Sequence, residues 1–255
     1  MFSNIPQVTK NLLVINILVF VLYYLLMPKG IDLNALFSTH SIGSPLFKPY
    51  QVVTHMFAHD GFWHIFMNMW LFIMLGGYLE QLWGPKRFFT FFILCGLGAF
   101  VLQNALSSFQ LFQLKAEISN AGFDINTIDY FISHNKNIPD CWREIRGMQK
   151  LNSSNAGIIS DYVVRSYSSM LGASGAVFGV LSAFAILFPN REFLLYFAIP
   201  VKAKYLVGVY FLFEVYLALK NNPNDHVAHL AHIGGAIMGV AIVLYWRKTD
   251  RTNFY

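Results

Sequence analysis

The chain has 255 residues, of which 56% are hydrophobic and only 12% are charged. Soluble domains usually carry about 25% charged residues, so this composition indicates a protein embedded in a lipid bilayer. The net charge of +5 comes from basic residues scattered between apolar segments, which argues against nucleic acid as a partner. Two cysteines, Cys95 and Cys141, do not make a disulfide framework.

Six apolar segments approach the roughly 20 residues needed to cross a bilayer. They cover residues 11–27, 62–82, 88–106, 169–188, 205–219 and 227–246. The first has a weakly basic start and no small-residue cleavage pattern, which predicts a retained span rather than a signal peptide. The connection 28–61 is rich in aromatic residues, which suits the membrane interface. The sequence therefore predicts an all-α membrane protein with six transmembrane helices.

The stretch 107–167 interrupts this pattern between the third and fourth spans, because it is polar and mixed in charge. Turn signals punctuate it at Gly122, Pro139, Gly147 and 152–155. Short amphipathic pieces at 109–118 and 125–132 predict surface helices. We interpret the stretch as an inserted loop or lid without a core of its own, within a single membrane domain that covers 1–255.

Six spans place both termini on the same side of the membrane. Cytoplasmic segments usually carry the denser Lys and Arg. With the termini inside, the short inner segments hold Lys10, Lys86, Arg87, Arg191, Lys202, Lys204, Arg247, Lys248 and Arg251. The outer segments hold a similar number over a greater length. We therefore expect a multi-pass cell (inner) membrane protein with cytoplasmic termini and with the insertion 107–167 on the outer face.

Closely spaced glycines surround a serine at the start of the fourth span. Ser174 lies two residues after Gly172, at the start of an apolar run. The N–H groups at the start of a helix have no partner within the helix. Gly175 and Gly179 are four residues apart, a spacing that lets another helix approach closely in a membrane. By itself this pattern is more typical of a helix-packing face than of a catalytic serine.

Strongly polar side chains are costly inside a bilayer, so each is a candidate for function or for hydrogen bonding between helices. His64 and Asn68 share one face of the second span. His232, Gly235 and Gly239 share a face of the sixth span in the same way. If this glycine face meets that of the fourth span, the serine hydroxyl comes within hydrogen-bonding reach of His232.

These residue types suit amide hydrolysis by serine, which needs a hydroxyl, a base and donors for the developing oxyanion. Ser174 and His232 provide the first two. His64, Asn68 and the Ser174 N–H provide the third. No acid is assigned to orient His232, because Asp225 lies too close to the end of the span.

Four histidines without a clustered carboxylate could instead suggest a zinc site. No His-Glu-x-x-His pair occurs, and Asn68 stands where the second histidine of an i, i+4 pair would be expected. We therefore expect no metal and no other cofactor. Glu214, inside the fifth span, is expected to form a hydrogen bond to a neighbouring helix.

Three motifs occur in order on the second, fourth and sixth spans, and a further one closes the second span. They are His59 with His64 and Asn68, then 172–175, 231–239 and, closing the second span, 80–84. In these positions the chain resembles the rhomboid intramembrane serine proteases, over essentially its whole length except 107–167. The first connection departs from the family pattern, since Tyr50-Gln51 stands where many members carry Trp-Arg.

The resemblance implies a six-helix core around a water-filled cavity open to the outside, and cleavage of membrane-spanning protein substrates near their outer ends. It implies Ser174 as nucleophile, His232 as general base, and His64 with Asn68 as oxyanion donors. Glu80 would anchor a loop.

Two other functions remain as alternatives to an intramembrane serine endopeptidase. A catalytically silent relative would bind and sort membrane proteins, although such relatives typically lack the serine or the histidine. A small transporter would line a path through the bilayer with polar groups that include Glu214. The sequence predicts contact with lipid and with transmembrane substrates, and it carries no signal for an oligomeric state.

Overall fold

The computed structural model describes residues 5–148, 151–195, 199–220 and 227–249. Its helices are α1 (Gln7–Leu26), α2 (Leu33–Phe37), α3 (Gln51–Thr54), α4 (Phe62–Leu71), α5 (Gly77–Trp83), α6 (Pro85–Asn120), α7 (Ile125–His134), α8 (Ile138–Ile145), α9 (Ser153–Tyr167), α10 (Ser174–Leu187), α11 (Ala203–Lys220) and α12 (His229–Thr249). A π-helical turn, Phe72–Gly76, joins α4 to α5. Two short antiparallel pairs accompany the helices: β1 (Thr39–His40) with β2 (Ser169–Met170), and β3 (Glu192–Leu195) with β4 (Ile199–Lys202).

Four helical segments of the described chain are long and apolar enough to cross a membrane. They are Gln7–Lys29, Phe62–Trp83, Pro85–Asn120 and His229–Thr249. These segments correspond to the first, second, third and sixth spans expected from the sequence, so the protein is a multi-pass membrane protein in contact with the bilayer. The helices at the fourth and fifth positions are shorter, with 14 residues in α10 and 18 in α11. The count of six spans therefore stays a prediction.

One compact unit comprises the described parts of Met1–Phe37, Val53–Gln103 and Leu171–Tyr255. Its core is built from buried side chains of α4, α5, α6 and α10, together with the π-helical turn. Among them are Phe72, Leu79, Phe88, Phe92 and Val180. Within this unit α10 packs most extensively against α12.

Glu80 is buried in α5 and ties the start of α1 to it. Its carboxylate accepts hydrogen bonds from the Val8 N–H at 2.8 Å, and from the Thr9 N–H and hydroxyl at 2.7 Å each. The first-turn N–H groups of a helix have no partner within the helix, so a carboxylate is a favourable acceptor there. Glu80 therefore anchors a helix N-terminus, and the expectation that it anchors a loop was wrong.

A second compact unit comprises Ser38–Val52 and the described part of Asn104–Met170. It has its own hydrophobic cluster, contributed by the end of α6 and by α7, α8 and α9. The buried members are Leu111, Ile118, Phe123, Ile128, Ile132, Cys141, Ile145, Ile159, Tyr162 and Val163. The expectation that 107–167 lacks a core was therefore wrong, although the helix expected at 125–132 is present as α7. The polar residues of 107–167 suggested a segment without a core, but they lie on the outer faces of short amphipathic helices.

Two element boundaries differ from those expected. The third span does not end at 106, because α6 continues to Asn120 and buries Leu111 and Ile118 along one face. The fourth span does not begin at 169, because Ser169 and Met170 pair with β1 and the helix starts at Ser174. A hydropathy pattern reports only the polarity of neighbouring side chains. The end of α6 and the start of α10 depend instead on contacts with residues distant in the sequence.

Gln51, where the sequence departs from the pattern it resembles, makes hydrogen bonds within the first connection. Its Oε1 accepts from the His40 N–H at 3.3 Å and from the Lys48 N–H at 3.1 Å, and its Nε2 donates to the Leu46 carbonyl at 3.3 Å. The side chain is buried. An uncharged amide thus ties this segment together.

Candidate active site

Ser174 and His232 meet where α10 and α12 begin. Ser174 is the first residue of α10, and His232 lies in the first turn of α12. The Ser174 Oγ lies 2.8 Å from His232 Nε2. The His232 ring also stacks on Phe178, with ring centroids 4.2 Å apart and planes 10° from parallel. The hydroxyl and the base expected from the sequence are therefore within hydrogen-bonding distance.

Glycines let these two helices approach closely enough for that contact. A Cβ on Gly235 would lie 1.8 Å from the Gly175 carbonyl oxygen, and one on Gly239 would lie 2.7 Å from that of Gly179. Real Cβ atoms do not approach backbone so closely, so α10 and α12 touch through backbone at both levels. The glycine faces expected on these helices do meet.

The same glycines of α10 also face α6, which was not expected. A Cβ on Gly175 would lie 2.3 Å from Ala99 Cβ, and one on Gly179 would lie 2.4 Å from Cys95 Sγ. Gly234 of α12 is equally confined, since its Cβ would lie 2.5 Å from the Gly98 carbonyl oxygen. Three helices therefore converge through small residues, and Gly234 does not face open space.

The segment before Ser174 requires glycine at position 172. Gly172 has φ +120°, a conformation that other residues rarely adopt, and its N–H donates to the His55 carbonyl at 2.8 Å. A Cβ at this position would lie 2.8 Å from His64 Nε2 and 3.6 Å from Ser174 Oγ. His64 thus lies beside the turn that presents the serine, as its expected role requires.

His59 contacts this turn, and Asn68 contacts His64. The Asn68 Nδ2 donates to the His64 carbonyl at 3.0 Å, so one of its two amide hydrogens is already engaged. The Ala173 N–H points to His59 Nε2 at 3.5 Å. Burial lowers the pKa of His59 to about 3, so this imidazole is neutral and can accept the bond. Sequence reasoning noted His59 only as part of a motif.

Glu214 of α11 is the site residue that sequence reasoning missed. Its Oε2 lies 2.9 Å from His232 Nδ1 and 2.6 Å from His229 Nδ1. The expected hydrogen bond to a neighbouring helix is therefore present, and its partner is His232, the residue expected to act as the base. The available signal was an ionisable residue inside a span. Asp225, the acid considered earlier, lies outside the described residues.

The same three side chains carry atom types that can bind a metal ion. In the described part of the chain, one ligand atom each from Glu214, His229 and His232 lie within 4.8 Å of one another. Two imidazoles and a carboxylate are a ligand set that zinc accepts. No carboxylate was expected beside the histidines, and Glu214 supplies one.

The helices and this constellation define a multi-pass membrane protein with a serine–histidine pair beside a glycine-mediated helix contact. The model of the rhomboid domain matches residues 47–113 and 150–249, more than half of the chain. A mitochondrial rhomboid protein of Schizosaccharomyces pombe, described as uncharacterized, is 42% identical over 86 residues, 33% of this chain and 22% of that protein. Rhomboid protein 1, mitochondrial, of Saccharomyces cerevisiae is 27% identical over 204 residues, 78% of this chain and 42% of that protein.

The chain belongs to the rhomboid family. It spans less than half the length of each of these two relatives.

Proposed function

We propose that this protein is an intramembrane serine endopeptidase that hydrolyses peptide bonds in or near the transmembrane segments of other membrane proteins. The observation that carries the proposal is the 2.8 Å contact between Ser174 Oγ and His232 Nε2. Membership of the rhomboid family supports it. A silent relative has no need for this contact, and a transporter has no need for a serine at the tip of a helix.

In the proposed reaction, Ser174 Oγ attacks the carbonyl carbon of the scissile bond while its proton passes to His232 Nε2. The resulting oxyanion is stabilised by the Ser174 N–H and by the side chains of His64 and Asn68. The C–N bond then breaks, His232 returns the proton to the leaving amine, and the acyl group remains on Ser174. Water, deprotonated by His232, hydrolyses this ester and releases the second product.

The proposed organisation has six spans: α1, α4 with α5, α6, α10, α11 and α12. Both termini lie on the cytoplasmic side, and 107–167 is an insertion on the outer side. The sequence favours the cell membrane, whereas the two relatives above are named as mitochondrial. Membrane fractionation of the native source separates these two locations.

Labelling with a serine-reactive fluorophosphonate tests the proposed function directly. Purified wild-type protein is expected to be labelled, and Ser174→Ala and His232→Ala are expected to lose labelling while keeping the wild-type elution profile in detergent. Nucleophile and base act as one unit, so either loss removes almost the whole effect. Equal labelling of wild type and Ser174→Ala would contradict the assignment. An unlabelled, folded wild type would favour the silent relative.

A further inference from the structure

Glu214 is buried between two histidines and has no part in the mechanism described so far. Its carboxylate belongs to a side chain only 3% exposed, and its two partners are 8% exposed each. A buried charge is costly unless it is paired and hydrogen-bonded, so the hydrogen bonds from His229 and His232 are needed to stabilise the Glu214 carboxylate. Both contacts converge on one oxygen, Oε2.

The distances between Glu214 and the two imidazoles are those of hydrogen bonds. Zinc binds nitrogen and carboxylate oxygen at about 2.0–2.2 Å, so ligands around a tetrahedral ion lie about 3.3 Å apart. The observed Nδ1–Oε2 distances are 2.6 and 2.9 Å. Such values are typical of charge-assisted hydrogen bonds. An ionised carboxylate can only accept hydrogen bonds, so with Glu214 ionised each imidazole donates its Nδ1–H to it.

We propose that Glu214 is a positioning residue that holds His232 in the tautomer and orientation needed to deprotonate Ser174. This inference rests on the proposed function. With Nδ1–H donated to Glu214, the lone pair of Nε2 is free for the Ser174 hydroxyl 2.8 Å away. Stacking on Phe178 fixes the plane of the ring.

The carboxylate also matters during the reaction. When Ser174 attacks, its O–H bond breaks, the proton moves to Nε2, and His232 becomes a cation. Glu214 keeps its negative charge next to this cation and stabilises it without taking the proton. His229 donates to the same oxygen and restrains the carboxylate. The resulting hydrogen-bonded triad is Ser174–His232–Glu214, and His229 forms a further hydrogen bond to Glu214.

The test measures fluorophosphonate labelling of the purified full chain at a series of probe concentrations. The saturating rate constant reports activation of Ser174, the half-saturating concentration reports probe binding, and the final labelled fraction reports folded protein. In Glu214→Gln the saturating rate constant is expected to fall about 10²-fold or more, because an amide cannot hold the same tautomer or balance the cation. The half-saturating concentration stays within about twofold.

Two variants control for a merely structural role. Glu214→Asp keeps the charge but shortens the side chain, so its rate constant lies between those of wild type and Glu214→Gln, about 10-fold below wild type. Glu80→Gln alters another buried carboxylate in the same unit, one that binds Val8 and Thr9 and takes no part in the proposed mechanism. We expect it to lower thermal stability and the labelled fraction, but to leave the rate constant of the labelled molecules unchanged.

Rate constants equal to wild type in both Glu214 variants would overturn the inference, even if the labelled fraction fell. So would a rate constant of the wild type that strong chelators change, because the cluster would then hold a metal. If Glu214→Gln yields no folded protein, the comparison of wild type with Glu214→Asp decides the matter. Absence of labelling in the wild type would contradict the proposed function itself, which is a different result.

Discussion

At the scale of single residues, the donors aimed at the developing oxyanion usually make the largest contribution to acyl transfer. Removing one such donor typically costs on the order of 10²–10³ in rate rather than all activity. We therefore expect His64→Ala and Asn68→Ala to label more slowly with fluorophosphonate by about this factor, with little change in the half-saturating probe concentration. Asn68→Ala also loses its bond to the His64 main-chain carbonyl.

Met67→Ala is the matched control, because Met67 is the exposed neighbour of Asn68 on the same helix. It should label at the wild-type rate. Wild-type rates in both donor variants would leave these residues without the proposed role. Total inactivity of Asn68→Ala, with the protein folded, would instead indicate a part in holding the turn at Gly172.

Residue types and spacing were enough to predict which side chains meet across α10 and α12. Ser174 and His232 each stand at the start of an apolar run beside a glycine pair, so packing of the two faces implied their contact. The contact of Glu214 with His232 was beyond reach. It depends on the rotation of α11 about its own axis, and α11 carries apolar residues on all sides that leave this rotation undefined.

At the scale of helices, the glycine contact between α10 and α12 fixes the distance between serine and base. A methyl group at Gly235 would lie 1.8 Å from a backbone carbonyl oxygen, which cannot move aside without shifting α10. We expect Gly235→Ala and Gly235→Val to separate Ser174 from His232, abolish fluorophosphonate labelling and lower thermal stability. Gly239→Val lies one turn further from the pair, so it should harm stability at least as much as labelling.

The control for these variants must be a helical glycine with space around it. Gly234 is unsuitable because its Cβ would meet the Gly98 carbonyl oxygen at 2.5 Å. Gly208 of α11 is suitable, since apart from its chain neighbours and the backbone of its own helix no described atom lies within 4 Å of its added Cβ. Gly208→Ala should keep wild-type labelling and stability. Normal labelling of Gly235→Val would show that the helices are not held through this face.

Helix ends were harder to predict than helix faces. The continuation of α6 to Asn120 follows from burial of Leu111 and Ile118 among α7, α8 and α9, which no local hydropathy window can detect. At about 1.5 Å per residue, its 36 residues extend about 54 Å, well beyond a bilayer core about 30 Å thick. The start of α10 was displaced for a similar reason, because β2 pairs with β1 across a long sequence separation.

At the scale of the whole molecule, the number of spans decides whether the two termini lie on the same side of the membrane. Two of the six expected spans, α10 and α11, are not among the four segments that are long and apolar enough to cross a membrane. With 14 residues, α10 extends about 21 Å, less than a bilayer core about 30 Å thick. Ten of its residues, Gly175 to Phe184, are buried, so protein rather than lipid surrounds most of this helix. A short helix enclosed by others need not match the thickness of the bilayer by itself.

We therefore expect six crossings, with both termini on the same side and 107–167 on the opposite side. The measurement uses sealed vesicles of known orientation that contain protein tagged at both ends, with a protease site inserted after the exposed Lys136. Protease on the outer side should cut at Lys136 and spare both tags, whereas detergent should expose all three sites. Cleavage of one terminal tag in intact vesicles would mean an odd number of crossings, and the expectation of six crossings would then be wrong.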